Sequence, residues 1–425
     1  MDAPTFRRRG FTLIEMLVAL TIIVIIMITL FSVSAGVANI WKSTSGKISS
    51  FQNARLAFST LSETLSRATL NTYSDYVNVT NKVYYFRHAD ASGAATDPGS
   101  ISEFKPTQFA RASELHFLSG PTADIAKASE VTSRATALPY LNATVALNPG
   151  HAVFFQAPLG FTKNKGVDSV GQTINVKYTG LQRMLNSVGF YVKYSLPEPS
   201  LVPKWLENSN AAKASRFRLV QQVEETEKLQ IYKSTAGSAY SLNWLGFADA
   251  TAPEIKVSTT RVLAEDVLLL VLRPRLSPGD ERTVTAKQGV SYQASTQLGS
   301  VLCPNYQYDS RAWMATYPAA GRVRSGTNGV LAADDRVKLM MNQLPPVIDM
   351  AIVCADAQSL ARYDRPGAPQ DTPPTDLLVP DNLFKDSALL EADLAKYADQ
   401  LSKKNIRFHV QRSTVELQSA KWSND

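Results

Sequence analysis

The sequence predicts an α+β protein, in which a long N-terminal transmembrane helix precedes a large antiparallel β-rich globular domain. Residues 16–41 include no Lys, Arg, Asp, Glu or His over 26 positions, which exceeds the roughly 20 apolar residues that cross the bilayer hydrocarbon. Beyond residue 80 the apolar residues alternate in short runs separated by Gly, Pro and Ser, a pattern typical of antiparallel strands. The expected organisation is a leader at 1–10, a helix at 11–74 that spans the membrane at about 12–38, and a domain at 75–425.

Charge and cysteine content exclude several classes of protein. The net charge is +7, and three arginines against one aspartate in the leader account for +2, which leaves +5 spread over the remaining chain. This mild excess is weak support for a nucleic-acid partner. Two cysteines cannot form the scaffold of a small disulfide-rich protein. Cys303 and Cys354 could form one disulfide, but the apolar run around Cys354 favours a buried thiol.

The charges around the apolar segment are those of a membrane anchor whose N-terminus lies in the cytoplasm. Arg7, Arg8 and Arg9 precede the apolar run, and only Lys42 and Lys47 follow it closely. The positive-inside rule therefore leaves residues 1–10 in the cytoplasm and sends the domain outward. Backbone groups in lipid must pair within the segment, so we expect a helix. An ordinary secretory signal has a shorter apolar core, with its cleavage site after that core.

One carboxylate, Glu15, lies between Phe11 and Trp41. A charge at membrane depth costs a few kcal/mol and usually has a partner. By itself the residue allows two interpretations. Glu15 either lies near the cytoplasmic interface and reaches water, or it meets a specific cation.

Residues 10–20, GFTLIEMLVAL, resemble the prepilin cleavage and methylation signature of type IV pilins and type II secretion pseudopilins. The resemblance implies that a prepilin peptidase cuts between Gly10 and Phe11 and that Phe11 is then N-methylated. It also makes Glu15 the acidic fifth residue of the mature chain. Cleavage would create a positive α-amine, which Glu15 of a neighbouring subunit could neutralise in an apolar setting.

The remaining elements follow from periodicity. Phe51, Phe58 and Leu65 recur every seven residues, as do Ala54, Leu61 and Ala68, so the helix should continue with an apolar stripe and end near 71–74. A second helix is predicted at 387–404, and loops at 274–282 and 365–380. The predicted strands are 82–87, 152–156, 174–178, 188–194, 217–223, 229–232, 267–273, 347–354, 406–411 and 414–418.

Three further segments carry a narrower resemblance. Residues 264–275, 342–349 and 420–423 are similar to segments of the Verrucomicrobia/Chthoniobacter cassette protein C family, which carries the same N-terminal signature. Residues 344–348, LPPVI, also resemble the Leu-Pro-x-x-Val strand start of pseudopilin J, with Ile348 where that pattern has Val.

No residue pattern indicates catalysis, a cofactor or a metal. The four histidines, His88, His116, His151 and His409, lack the spacing of a zinc site, and a Gly-x-Ser-x-Gly elbow is absent. Acidic residues recur every five positions in a loop, which matches no calcium loop and favours a solvated loop over a calcium site: Asp371, Asp376, Asp381 and Asp386. Basic and aromatic residues mix at 311–317 and 322–324, where an exposed loop is a stronger interpretation than a DNA or substrate contact.

These observations predict a non-enzymatic minor pilin or pseudopilin, processed by prepilin peptidase and assembled into a type IV pilus or a type II secretion pseudopilus-like filament. Its expected partners are the peptidase, other pilin or pseudopilin subunits, an inner-membrane assembly platform and the bilayer. The expected location is the bacterial inner membrane, single-pass with the domain in the periplasm, or the filament itself. The alternatives are a filament-displayed adhesin or DNA-uptake subunit that binds glycan, DNA or a secreted substrate, and a membrane-tethered periplasmic enzyme.

Overall fold

A computed structural model gives the fold of this protein. It describes residues 12–78, 83–84, 108–123, 125, 150–162, 166–167, 173–174, 183–196, 204, 215–229, 231–232, 243–245, 258–287, 302–312, 339–363 and 373–422. The chain divides into two compact units, Met1–Ser49 and Ser50–Asp425. The predicted α+β fold is confirmed, because a long apolar helix is followed by antiparallel sheets mixed with helices.

Helix α1 spans Leu13–Ser66 and contributes residues to both units. In the first unit, the segment Leu13–Ala38 is long and apolar enough to cross a membrane. All of its large apolar side chains are exposed. A helix whose apolar side chains point outward on every side requires an apolar solvent or other helices around it.

The predicted end of this helix at 71–74 is wrong. After Ser66 the backbone N–H of Thr69 donates to Gln156 O at 2.9 Å, and Asn71 adopts a φ of 47°. The chain therefore leaves the helical path to pair with a strand of the domain.

In the second unit, the predicted apolar stripe of α1 is confirmed with one exception. Ala54, Phe58, Leu61 and Leu65 of α1 are buried in the main core, as is Ala68, which follows the end of the helix. The exception is Phe51, which is 38% exposed.

The sheets of the domain are antiparallel throughout their described pairings. Their strands are β1 (Tyr73–Asn78), β2 (Val83–Tyr84), β3 (Gln108–Ala112), β4 (Leu118–Pro121), β5 (His151–Pro158), β6 (Gly166–Val167), β7 (Thr173–Ile174), β8 (Leu185–Ser195), β9 (Arg216–Glu224), β10 (Ser258–Glu265), β11 (Val267–Arg275), β12 (Tyr308–Asp309), β13 (Val347–Ala355) and β14 (Phe408–Glu416). The largest sheet has six strands in the order β10-β9-β8-β5-β4-β12. A second sheet has the order β11-β13-β14, a third β2-β1-β3, and β6 pairs with β7.

The chain passes from the six-stranded sheet to the second sheet at a single residue. Asp266 separates β10 from β11, adopts a φ of 60°, and accepts a hydrogen bond from the Ala355 N–H at 2.9 Å. Because β11 packs next to β5 and pairs with β13, this corner places the two sheets around one core that also takes in the second-unit part of α1.

Short helices complete the domain. These are the α-helices α2 (Pro278–Lys287), α3 (Ala357–Leu360) and α4 (Leu390–Lys403), and the 3-10 helices Thr226–Lys228, Asn243–Leu245, Ala361–Tyr363, Thr375–Leu377 and Ser387–Leu389. The helix predicted at 387–404 is therefore confirmed. Leu390, Leu394, Tyr397 and Leu401 form its buried face, as its apolar spacing predicts.

Four more predicted elements need correction. The loop at 274–282 is instead the end of β11 and the start of α2, because Ser277 caps that helix by accepting from the Asp280 N–H at 3.2 Å and Pro278 is its first residue. The strands at 406–411 and 414–418 are one strand, β14, because β13 pairs with it continuously. Of the strand predicted at 229–232, Leu229 caps the C-terminus of a 3-10 helix and residues 231–232 form a turn instead.

Several predictions lie outside the described residues, in whole or in part. These include Gly10, Phe11, His88 and Asp371, most of the basic and aromatic segment at 311–317, the whole of the segment at 322–324, and most of the strand at 174–178. In the predicted loop at 365–380, residues 373–380 are described and contain a 3-10 helix. Cys303 and Cys354 are both buried and form no disulfide, which confirms the thiol interpretation for Cys354.

Candidate functional site at the start of the N-terminal helix

The first turn of α1 is organised by a reciprocal set of hydrogen bonds between Thr12 and Glu15. The Thr12 N–H donates to Glu15 Oε2 at 2.9 Å, and the Thr12 hydroxyl donates to the same oxygen at 3.0 Å. In return, the Glu15 N–H donates to the Thr12 carbonyl at 3.1 Å and lies 3.4 Å from its hydroxyl oxygen. This is a capping box, which satisfies backbone donors that have no partner inside the helix.

The box also gives Glu15 a defined position. The first-turn carboxylate lies at the positive end of the helix dipole, where negative charge is favoured. Its side chain is held back towards the N-terminal residue of the helix by two neutral donors from one residue. The spacing Thr12-x-x-Glu15 is the sequence signature of such a box, so this contact was missed although the residue types and their spacing could have revealed it.

Two other polar side chains in the apolar segment, Thr21 and Thr29, are satisfied by the helix itself. The Thr21 hydroxyl donates to Val18 O and the Thr29 hydroxyl to Ile26 O, both at 2.8 Å. These contacts remove the cost of burying the two hydroxyls in lipid. Glu15 is different, because hydrogen bonds from neutral groups leave its charge in place.

Inside the domain, His116 belongs to a buried network rather than to a reactive site. Its Nε2 lies 2.6 Å from Asp309 Oδ1, and the Trp244 indole N–H donates to its Nδ1 at 3.0 Å. Burial lowers the pKa of His116, and the Asp309 carboxylate opposes that shift. Since both ring nitrogens are engaged and the ring is fully buried, His116 is placed to hold β4 and β12 against the Asn243–Leu245 helix.

The imidazole of His151 joins the two main sheets. Its Nδ1 lies 3.0 Å from both the backbone nitrogen and the backbone oxygen of Leu272, on the edge strand β11. The Tyr306 ring packs against it with centroids 4.8 Å apart. The pKa of His151 is lowered to about 4, mainly by burial; the hydrogen bond with the Leu272 backbone opposes this shift, and the nearby Lys385 adds to it. The neutral side chain therefore occupies the place of a neighbouring strand, because it contacts the backbone polar groups of Leu272 at this edge of the sheet.

His409 and the acidic loop have local structural roles. His409 is exposed on β14, with its ring centroid 5.2 Å from that of Phe51. Asp376 forms an ion pair with Lys404 at 3.3 Å, and Asp386 accepts a hydrogen bond from the Ala388 N–H at 2.9 Å. Among the residues that the structure describes, no group of three His, Cys, Asp or Glu side chains could hold a metal ion.

Arg311, the first residue of the mixed basic and aromatic segment at 311–317, is also engaged locally. The Arg311 guanidinium donates to the Glu114 carbonyl, and its backbone N–H donates to Asp309 Oδ1 at 2.8 Å. These contacts fold the described part of the segment onto the β4–β12 edge.

Comparison with known proteins identifies the same N-terminal region. Residues 5–31 match the family model described as the prokaryotic N-terminal methylation motif. The matched range contains the Gly10-Phe11 pair, Thr12 and Glu15. The chain therefore carries a type IV pilin-like or pseudopilin-like signal, and its apolar helix fits a membrane-anchored single-pass protein. The motif suggests a structural subunit rather than an enzyme. No curated protein and no solved structure matches the chain.

Proposed function

We propose that this protein is a minor pilin or pseudopilin subunit. Prepilin peptidase cuts it between Gly10 and Phe11, Phe11 is N-methylated, and the mature chain enters a type IV pilus or a type II secretion pseudopilus-like filament. The leader at 1–10 is cytoplasmic, the helix crosses the inner membrane, and the domain is periplasmic until assembly. The partners are the peptidase, other pilin or pseudopilin subunits and an inner-membrane assembly platform.

The observation that carries the proposal is the state of Glu15 within the matched motif. Its carboxylate is the one acidic group in the exposed apolar segment, and among the described residues its hydrogen bonds come from the neutral donors of Thr12. Leaving such a charge unpaired among packed apolar helices costs about 3 kcal/mol on insertion scales. A positive α-amine at Phe11 of a neighbouring subunit would neutralise this carboxylate, and the positive charge of the amine would then also have a partner.

The capping box prepares Glu15 for this role. Thr12 fixes the position of Oε2 before any neighbour arrives, so less side-chain freedom is lost when the ion pair forms. A single polar pair in an otherwise apolar helix bundle also fixes register, since any other alignment leaves both charges unpaired.

The segments that resemble cassette protein C support a narrower proposal, that the chain belongs among proteins of that kind. Residues 264–275 form the corner and β11, residues 342–349 lead into β13, and Ala420 and Trp422 pack partly buried against the main core. The resemblance to the pseudopilin J strand start fits as well, because β13 begins at Val347, directly after Pro345 and Pro346.

The test separates charge from capping. Glu15→Gln keeps a side-chain oxygen that can accept from Thr12 and removes the charge, whereas Glu15→Ala removes both. We expect both variants to insert in the membrane at the wild-type level and to be largely lost from purified filaments. Membrane fractions and filaments are compared by immunoblot, and the mass of the mature N-terminus reports cleavage and methylation separately. Normal incorporation of the cleaved Glu15→Gln protein would disprove the charge pairing.

A further inference from the structure

We propose that Trp41 anchors α1 in the outer headgroup layer of the membrane and so holds Glu15 in the inner headgroup layer before assembly. The inference rests on the membrane anchoring in the proposed function, and adds a lipid contact and a depth for the helix. Its partner is the lipid–water interface of the bilayer.

Trp41 has the exposure and position that an interfacial anchor requires. Its side chain is 76% exposed and follows the apolar segment, which ends at Ala38. Tryptophan has a large apolar ring and one N–H donor, and it concentrates at the headgroup level where the ring meets chains and the N–H meets polar groups. The next residue in sequence is Lys42, whose charge belongs on the aqueous side.

The spacing of Glu15 and Trp41 matches the membrane. The two residues are 26 positions apart, or about 39 Å along a straight helix. At the common tilt of about 20° this becomes about 37 Å across the bilayer. The hydrocarbon is about 30 Å thick and the bilayer with its headgroups about 40–45 Å. Each residue can therefore lie about 3 Å outside the hydrocarbon, within a polar layer.

This fit gives the helix a preferred depth. Moving α1 outward by one turn, about 5.4 Å, would draw Glu15 into the hydrocarbon and lift Trp41 into water. Moving it inward would bury the indole N–H and bring Lys42 to the hydrocarbon. Both displacements are unfavourable, so a subunit waiting in the membrane keeps its carboxylate hydrated.

Depth-dependent fluorescence quenching tests the position of Trp41. Full-length mature protein is reconstituted in phosphatidylglycerol–phosphatidylcholine vesicles whose acyl chains carry bromine at shallow or at deep carbons. Subtracting the signal of the Trp41→Phe variant leaves the emission of Trp41 alone. The matched control adds Phe31→Trp to Trp41→Phe. Position 31 is exposed on the same helix and lies about 15 Å from position 41.

We expect Trp41 to lose more emission to shallow than to deep bromines, and the tryptophan at position 31 to show the opposite order. Equal or greater quenching of Trp41 by deep bromines would overturn the proposal. So would quenching by aqueous acrylamide alone. None of these measurements involves a filament. The Glu15→Gln experiment could therefore disprove the assembly proposal while the quenching data still place Trp41 in the headgroup layer.

A second measurement tests whether Trp41 sets the depth of the inner end. Ile14→Cys is labelled with a membrane-impermeant maleimide in inside-out vesicles, against a low background because Cys303 and Cys354 are buried. Moving the anchor with Trp41→Phe and Val37→Trp should shift the helix outward by about 6 Å and abolish labelling at position 14. Val37 is 60% exposed, so the new ring meets no described neighbour that would block it. Unchanged labelling would refute the anchoring role.

Discussion

The hydrogen bond between His151 and the edge of β11 predicts how the stability of the domain depends on pH. The folded protein holds His151 neutral, with a pKa of about 4, whereas the pKa of an ordinary histidine is 6.5. Burial is the main cause of this low pKa. An imidazolium could still donate from Nδ1 to the Leu272 carbonyl, which opposes the shift, but it could no longer accept from the Leu272 N–H. Its Nε2 has no hydrogen-bond partner among the described residues.

The sign and size follow from these two pKa values. Between about pH 6.5 and pH 4 the unfolded chain binds a proton at His151 that the folded chain does not. The contribution of His151 to folding stability is therefore complete above pH 6.5 and is lost as the pH falls. A pKa that differs by 1 between the folded and unfolded states corresponds to about 1.36 kcal/mol, so the full loss is about 3 kcal/mol. About 2 kcal/mol of it falls between pH 7 and pH 5.

The assay is urea unfolding of the full-length protein in detergent from pH 7 to pH 5, compared with His151→Asn. The Asn amide can accept from or donate to Leu272 at a position similar to Nδ1, and it does not titrate in this range. Burial also lowers the pKa of His116, which contributes in the same direction to both proteins and cancels in the comparison. We expect the variant to lose about 2 kcal/mol less than the wild type over this interval. Equal losses would show that His151 is not buried neutral against Leu272.

Two more predictions concern packing and processing. Gly189→Ala should lower the free energy of unfolding by about 1–3 kcal/mol, because the new Cβ would lie 2.4 Å from Cε1 of the buried Phe154 ring. Adding Phe154→Leu should recover part of this loss in the same urea assay. A Gly189→Ala protein that is more stable than the wild type would contradict this packing. Gly10→Val should block cleavage, so that intact mass spectrometry finds the leader retained and Phe11 unmethylated. A normally trimmed and methylated Gly10→Val protein would place the processing site elsewhere.

Strongly patterned elements could be predicted from the sequence alone. Strands β5, β8, β9, β11 and β13 each contain a long run of buried residues, and each was predicted within a few residues of its bounds. The apolar span of α1 was equally clear, because lipid requires an unbroken apolar segment. In these elements burial depends on the residue types of one local stretch.

Elements stabilised by distant partners were missed. Strand β10 reads STTRVLAE and has little apolar alternation, yet it forms because β9 pairs along its whole length. Strand β4 has only four residues and lies between β5 and β12. The end of α1 at Ser66 likewise depends on Gln156, which accepts from Thr69 across 87 positions of sequence. No local window contains that information.

The same contrast separates the two kinds of polar site. Thr12 and Glu15 are three residues apart, so a helix brings them together and the sequence alone suffices. His116 meets Asp309 across 193 positions and Trp244 across 128. The spacing of the histidines contains no signal that the ring of His116 is enclosed by an aspartate and an indole, because both partners come from distant segments.

The geometry of Glu15 also bears on whether assembly must first break the capping box. Both contacts from Thr12 use Oε2, and an ionised carboxylate offers about four acceptor positions on its two oxygens. An incoming ammonium can therefore approach Oε1 while Thr12 remains bound to Oε2. In the proposed assembly the cap would persist and keep the carboxylate in position, so the start of the helix would not have to unwind for the ion pair to form. Because of this, removing the charge and removing the cap should have separable effects. Glu15→Gln should abolish the pair and leave the first turn of α1 intact.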